Sequence, residues 1–409
     1  MAASKGLVVR TPQEALRRCD TDLARLASSI GLLARLTPKN AVEERQRLLC
    51  DLRSGRKPVP SWQLERRGTH GAFRTLDRAR HEARALPGAQ LYLDKLDELE
   101  LELALVDAIG DGRRVRRLAA RRFGTGAEQV NTVAGPISLA TLARRLLDEV
   151  PVASRSSSSG GARAATVSVA AAVRELARVA GLAVQVRMEP RLAAGAATGN
   201  GVIYVGSRAF EPREALRIAV HEVFGHLVAA ANGRAQTMRL LEIGTAGSFT
   251  DQEGVALCCE EAAGLIDSRR LRTLAARVLA TDWMHAGACF GDTAQRLHRE
   301  EHFPATDAIV ISERVYRGGG VARDAAYLLG WLRVRDALRK GRASLDELRA
   351  GRVSLAAIPA LRELADRGWV RPPVYRPNLE RSLRATPWGT IPCTSPPSEA
   401  ASLTKLELT

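Results

Sequence analysis

Aromatic side chains make up only 4% of this 409-residue chain. That scarcity argues against an all-β sandwich and favours helices packed through Ala, Leu and Val. Cysteine is scarce and unpatterned. Cys19, Cys50, Cys258, Cys259, Cys289 and Cys393 form no CxxC pair and no regular spacing, so neither a thiolate zinc site nor a disulfide framework is indicated, and the compartment reads as reducing. No apolar h-region follows Lys5, Arg10, Arg17 and Arg18, and no uncharged run is long enough to span a bilayer, so the expected location is the cytoplasm, with no membrane partner. Lysine occurs only at positions 5, 39, 57, 95, 340 and 405. The net charge of +16 is therefore carried by arginines, and these are scattered among Asp and Glu rather than clustered. Nucleic acid is not expected as the main partner. A positive field of this size favours anionic partners, such as acidic peptides or free C-termini.

The chain is long enough to bury a sizeable core. Residues 12 to 53 read as two amphipathic helices broken at Leu36-Thr37-Pro38-Lys39-Asn40, and Ala72 to Phe123 as two more, punctuated by Pro87-Gly88 and Gly110-Asp111-Gly112. A helical N-terminal region is expected over 1–150, a Ser/Gly-rich linker or insert over 151–165, a catalytic domain over 166–385 and a disordered tail over 386–409. Within the catalytic region, a helix at about 167 to 180 precedes a strand at Ala183 to Met188, a turn at Gly195 to Gly201 and an edge strand at Val202 to Val205. A further strand is expected at Ala308-Ile309-Val310-Ile311, and helices near 324 to 338, 344 to 349 and 357 to 367. The fold class is α+β and mostly helical, with a small sheet beside one distinctive helix.

That helix begins after Glu211-Pro212, is expected to stop at Asn232-Gly233, and carries His221-Glu222-Val223-Phe224-Gly225-His226. The chain has seven histidines, and two of them flank a glutamate here. Neutral imidazoles supply nitrogen ligands to Zn2+, and an adjacent carboxylate can deprotonate a water whose pKa the metal lowers to about 7. In the usual HExxH pattern the histidines point within about 40° of each other. Five residues apart, they would diverge by about 140° on a regular α-helix, and one i to i+5 turn is needed to bring them together. Gly225 is the residue best able to tolerate that bulge.

Two histidines usually take a carboxylate as third ligand. Glu253, in Thr250-Asp251-Gln252-Glu253-Gly254-Val255-Ala256, is expected in the first turn of the next helix, capped by Thr250 or Asp251. Glu260 lies seven residues further on the same face and reads as a solvated glutamate, the alternative being a partner that orients a ligand histidine. His285, His298 and His302 have no metal spacing. The metal set is thus His221, His226 and Glu253, the cofactor Zn2+, and Glu222 the general base.

These motifs, with Asn232-Gly233, Gly244-Thr245-Ala246-Gly247, Leu36 to Asn40 and Arg314-Val315-Tyr316-Arg317-Gly318-Gly319, resemble the family of the microtubule-associated tyrosine carboxypeptidases and their bacterial relatives, named for a QEGLA motif. The resemblance covers most of the chain, with Val255 standing where the motif has Leu. It implies a zincin-like carboxypeptidase with the same metal ligands and base. The eukaryotic members act on tubulin tails, and nothing in these motifs implies that substrate.

The expected activity is zinc-dependent hydrolysis of the C-terminal peptide bond of peptides or proteins. Arg317, beside Gly318-Gly319-Gly320, is the candidate to grip a substrate carboxylate, since guanidinium binds carboxylate bidentately. Tyr316 or Tyr327 is the candidate donor to the developing oxyanion. The competing reading is a non-enzymatic regulatory or nucleic-acid-binding protein with a structural or vestigial zinc site. Oligomeric state and the preferred C-terminal residue are left open by the sequence.

Overall fold

The computed structural model describes residues 12–65, 69, 71–132, 135–152, 168–199, 201–208 and 210–387. The expected Ser/Gly insert falls largely outside these residues, as does almost all of the expected tail. The chain is mostly helical with two small sheets, as the fold class anticipated. No described helix is long and apolar enough to cross a membrane.

The N-terminal region comprises α1 (Pro12–Ile30), α2 (Leu32–Leu36), α3 (Ala41–Arg53), α4 (Ala72–Ala83), α5 (Ala89–Asp107) and α6 (Gly112–Phe123). The stretch from Ala72 to Phe123 thus holds three helices rather than two. Each break is a left-handed or capped turn: Gly88 has φ 72°, and the Asp111 side chain accepts from the Arg114 amide. A hairpin that the sequence pattern did not signal follows, β1 (Gln129–Thr132) with β2 (Gly135–Ser138), then α7 (Leu139–Glu149) and α8 (Val169–Val179).

The second sheet holds β3 (Gln185–Met188), β4 (Ala196–Gly199) and β5 (Val202–Val205), in the order β3-β5-β4. Two expectations are corrected here. Val202 to Val205 is the central strand, because its apolar Val202, Ile203 and Val205 are buried between two neighbours. The expected turn at Gly195 to Gly201 contains the edge strand β4, paired antiparallel to β5.

Next come α9 (Pro212–Val220), a π-helical segment His221–Leu227, α10 (Val228–Ala235) and α11 (Leu240–Ile243). The helix runs past Asn232-Gly233 instead of stopping there. Asn232 is buried and bridges Arg349 and Tyr375 with its amide, and a Cβ on Gly233 would lie 2.5 Å from the Leu241 carbonyl oxygen. Both residues serve tertiary packing, not a cap.

The remainder is α12 (Ser248–Ala262), α13 (Ser268–His285), α14 (Phe290–Arg299), α15 (Ala305–Gly320), α16 (Ala325–Arg339), α17 (Leu345–Leu348), α18 (Ile358–Asp366) and α19 (Leu379–Arg384). The expected strand at Ala308 to Ile311 is part of α15. Its β-branched run sits in a longer pattern, Ala308, Ile311, Ser312 and Val315, all buried, which recurs at helical and not strand spacing.

One apolar core joins α1, α4, α5 and α6 to the three-stranded sheet, the π segment and α12, so the N-terminal helices pack directly on the elements that carry the histidines. A second core lies among α3, α7 and α13 to α16. α12 and α16 cross at a glycine pair: a Cβ on Gly254 would meet the Gly330 carbonyl oxygen at 2.2 Å. Neither position can carry a side chain at that separation.

Candidate metal centre

The five-residue spacing of the histidines is accommodated by the π-helical segment over His221–Leu227. The rings come within 4.9 Å, centroid to centroid, and their Nε2 atoms within 3.2 Å. Gly225 lies within this segment and has a further task. A Cβ there would lie 2.3 Å from the Cβ of Ala256, so glycine lets the histidine segment press onto α12 and brings its ligands to Glu253.

Glu253 lies beyond the first turn, because α12 begins earlier than expected, with Gly247 in the left-handed region at its N-cap. Glu253 Oε2 is 3.1 Å from His221 Nε2 and 3.6 Å from His226 Nε2. The three donor atoms thus form a triangle with edges of 3.1, 3.2 and 3.6 Å. A tetrahedral zinc with bonds of about 2.0–2.1 Å separates its ligand atoms by about 3.3–3.4 Å, so the set fits that ion with a fourth position left for water or substrate. The three residues are the group of possible metal ligands found among the described residues.

The QEGVA segment assigns a job to almost every residue. Gln252 donates to the carbonyls of Leu348 and Val353 and anchors the helix, while Gly254 and Ala256 make the close approaches to α16 and the π segment. Val255, which stands where the motif has leucine, is buried in the core.

Glu260 is fully buried, not solvated. It lies 2.7 Å from His221 Nδ1 and receives both arms of the Arg270 guanidinium, with Arg217 at 3.4 Å. Burial disfavours its charge, yet Arg270 and Arg217 outweigh that and hold the carboxyl far below its usual range. A carboxylate on Nδ1 presents Nε2 to the donor triangle. Burial also opposes a charged His221, but Glu253 and Glu260 push it up to about 9, so a proton competes with a cation for this position. Glu253 follows the same logic in reverse: burial raises it, and the two imidazoles draw it well below the carboxylate range.

Glu222 lines the same cavity as the triangle, its Oε2 accepting from Thr198 Oγ1 at 2.6 Å. Thr198 belongs to β4, and the sequence offered no signal for it because the segment read as a turn. His221, Glu222, His226, Glu253 and Thr198 line a cavity of about 720 Å3.

Tyr327 lines the same cavity, its ring nearly parallel to that of His221 at 6.5 Å. Burial and the nearby Glu253 push its hydroxyl pKa up. Arg317 is also on the cavity wall, at the end of α15 where the chain turns extended and then left-handed at Gly318 and Gly319. Tyr316 is placed elsewhere. Its hydroxyl bonds the Ala288 carbonyl and the Thr293 hydroxyl, and its ring packs on Phe290 in the second core; successive residues at a helix end point about 100° apart, so it cannot share the outlook of Arg317. Arg277 and Arg323, which no motif marked, and Arg314, which opens the quoted Arg314 to Gly319 motif but was given no role, line the cavity next to Tyr327.

Residues 56–388 match the family described as microtubule-associated tyrosine carboxypeptidase. No curated protein matches the chain.

Proposed function

The chain belongs to the family of the microtubule-associated tyrosine carboxypeptidases, and from that premise we propose that it is a zinc metallocarboxypeptidase releasing the C-terminal residue of peptides or proteins. The observation that carries this reading is the triangle of His221, His226 and Glu253 with Glu222 on the wall of the same cavity. A zinc ion held there would polarise the scissile carbonyl and acidify a water. Glu222 takes the proton from that water as its oxygen adds to the carbonyl carbon, then returns it to the leaving amine, freeing the terminal residue. Thr198, bonded to one carboxylate oxygen, fixes the rotamer and leaves the other oxygen for the proton. Glu260 holds His221, and Tyr327 donates to the oxygen that gains charge.

β4, at the edge of its sheet and on the cavity wall, offers unpaired backbone groups to an extended peptide. Arg317 receives the terminal carboxylate. The test compares wild type with Glu222→Gln on peptides of varied C-terminus. Release should fall about a thousandfold in the variant, with about one zinc per chain retained in both. Equal release by both proteins, or release of internal fragments alone, would refute the assignment.

A further inference from the structure

The wall of the cleft next to Tyr327 carries more positive charge than the protein neutralises. Arg277, Arg314, Arg317 and Arg323 all line the cavity, and the Asp324 carboxylate stands among them. Asp324 is fully buried and bonds Arg314 at 2.6 Å, with Arg277 at 3.6 Å. Of the other nearby acids, Glu253 faces the two imidazoles, and Glu313 is committed to Arg45 through two hydrogen bonds at 2.6 and 2.9 Å. Four guanidiniums against one carboxylate leave a surplus of three.

Two of the four have no acidic partner among the described residues. Arg317 is 5% exposed, and burial together with Arg314 and Arg323 pulls its pKa down to about 10, so it stays charged at neutral pH but at a cost. Arg323 is held by rings instead of an acid: its guanidinium lies 4.4 Å from the centroid of Phe249 and 5.7 Å from that of Phe123. Its Nε is buried with no hydrogen-bond partner. A preformed guanidinium with a buried, unpartnered Nε and no counter-ion is a site waiting for an anion. Tyr327 places this cluster close to the metal ligands, since the Arg277 and Arg314 guanidiniums lie 5.2 and 5.5 Å from its ring and His221 lies 6.5 Å away on a parallel plane.

A single terminal carboxylate satisfies one of the two unpaired arginines. We propose that the cleft is selective for a C-terminal residue that brings a second carboxylate, glutamate or aspartate, with Arg317 receiving the terminal carboxylate and Arg323 the side-chain one. The inference rests on the carboxypeptidase reading of this same cleft and departs from the tyrosine in the family's description. An aromatic residue would leave Arg323 buried against the ligand without a counter-charge. A glutamate gives each guanidinium a charge-assisted partner.

The test uses zinc-loaded full-length protein and peptides that differ only in the last residue: Glu, Gln or Tyr. Wild type should release Glu with a kcat/KM at least about tenfold above Gln, the two differing only in side-chain charge. Arg323→Gln should bring that ratio towards one, and Arg323→Lys should restore part of it. A Glu to Gln ratio near one in wild type, or faster release of Tyr than of Glu, overturns the proposal. If no peptide is cleaved, the carboxypeptidase reading fails separately and binding decides. Zinc-loaded Glu222→Gln is titrated with N-acetyl-glutamate and N-acetyl-glutamine. Tighter binding of the dicarboxylate, lost with Arg323→Gln, upholds the anion site; equal binding rejects it.

Discussion

The two sides of the cleft solve opposite electrostatic problems. Around His221 each charge meets its complement: Glu260 faces Arg270, Arg217 and the imidazole, and Glu253 lies between two imidazoles. Around Asp324 four guanidiniums share one carboxylate. The balanced side is finished apart from a cation that fits its donor triangle. The unbalanced side is completed only by an anionic ligand. A cleft that presents a cation site on one wall and an anion site on the other is suited to a peptide end, whose scissile carbonyl and carboxylate must be held at once.

Altering either balance should be costly, and the largest effect on stability is expected at Asp324. Asp324→Asn leaves the buried Arg314 and Arg317 and the half-buried Arg277 and Arg323 facing one another, which should destabilise the protein by about 3–5 kcal/mol; thermal unfolding of the wild type and variant measures it. A loss under about 1 kcal/mol would mean that the arginines already reach solvent or another anion, and the contrast between the two sides would collapse.

Gly225→Ala attacks the balanced side through packing alone. The added methyl overlaps Ala256, and overpacking of this kind costs about 1–3 kcal/mol. The π segment should move off α12, so zinc affinity ought to fall together with the melting temperature. Unchanged zinc affinity in competition with a chelator would show that the contact does not set the ligand geometry.

Glu260→Gln keeps the shape and removes the charge that faces His221 Nδ1. Zinc affinity should weaken by about 10–100-fold, without the collapse expected from loss of a ligand. The direction follows from the structure: with Glu260 ionised, Nδ1 carries a proton and Nε2 is free to bind the metal. The smallest effect belongs to Tyr316→Phe. Its hydroxyl bonds only Ala288 and Thr293, so stability should drop by roughly 1 kcal/mol and peptide release should be unaltered. A large fall in kcat would return Tyr316 to the chemistry.

The difference between the two sides also explains what the sequence could disclose. His221, Glu222, His226 and Glu253 stand in short, ordered motifs whose spacing has direct geometric meaning, and even the need for a π-turn follows from five residues at about 100° each. Glu260 was visible by its spacing, but its burial depends on Arg217 and Arg270, which reach it from α9 and α13, and no local pattern marks such partners. The arginine cluster was largely hidden for another reason. In a chain whose positive charge is nearly all arginine, Arg277 and Arg323 look like any solvated helix face, and Arg314 has no role apart from its motif, until tertiary packing brings them around Tyr327. The misread strand at Ala308 to Ile311 and the misplaced edge at Val202 to Val205 share one cause. Short β-branched runs do not say which sides will be covered, and burial against neighbours decides.

The most direct test of the central claim is X-ray absorption at the zinc edge of the purified, zinc-loaded protein. The expected result is about one zinc per chain, four-coordinate, with two imidazole ligands and only nitrogen and oxygen donors at about 2.0–2.2 Å, and loss of one imidazole contribution in His226→Ala. No bound zinc, or a site with sulfur ligands at about 2.3 Å, would contradict it.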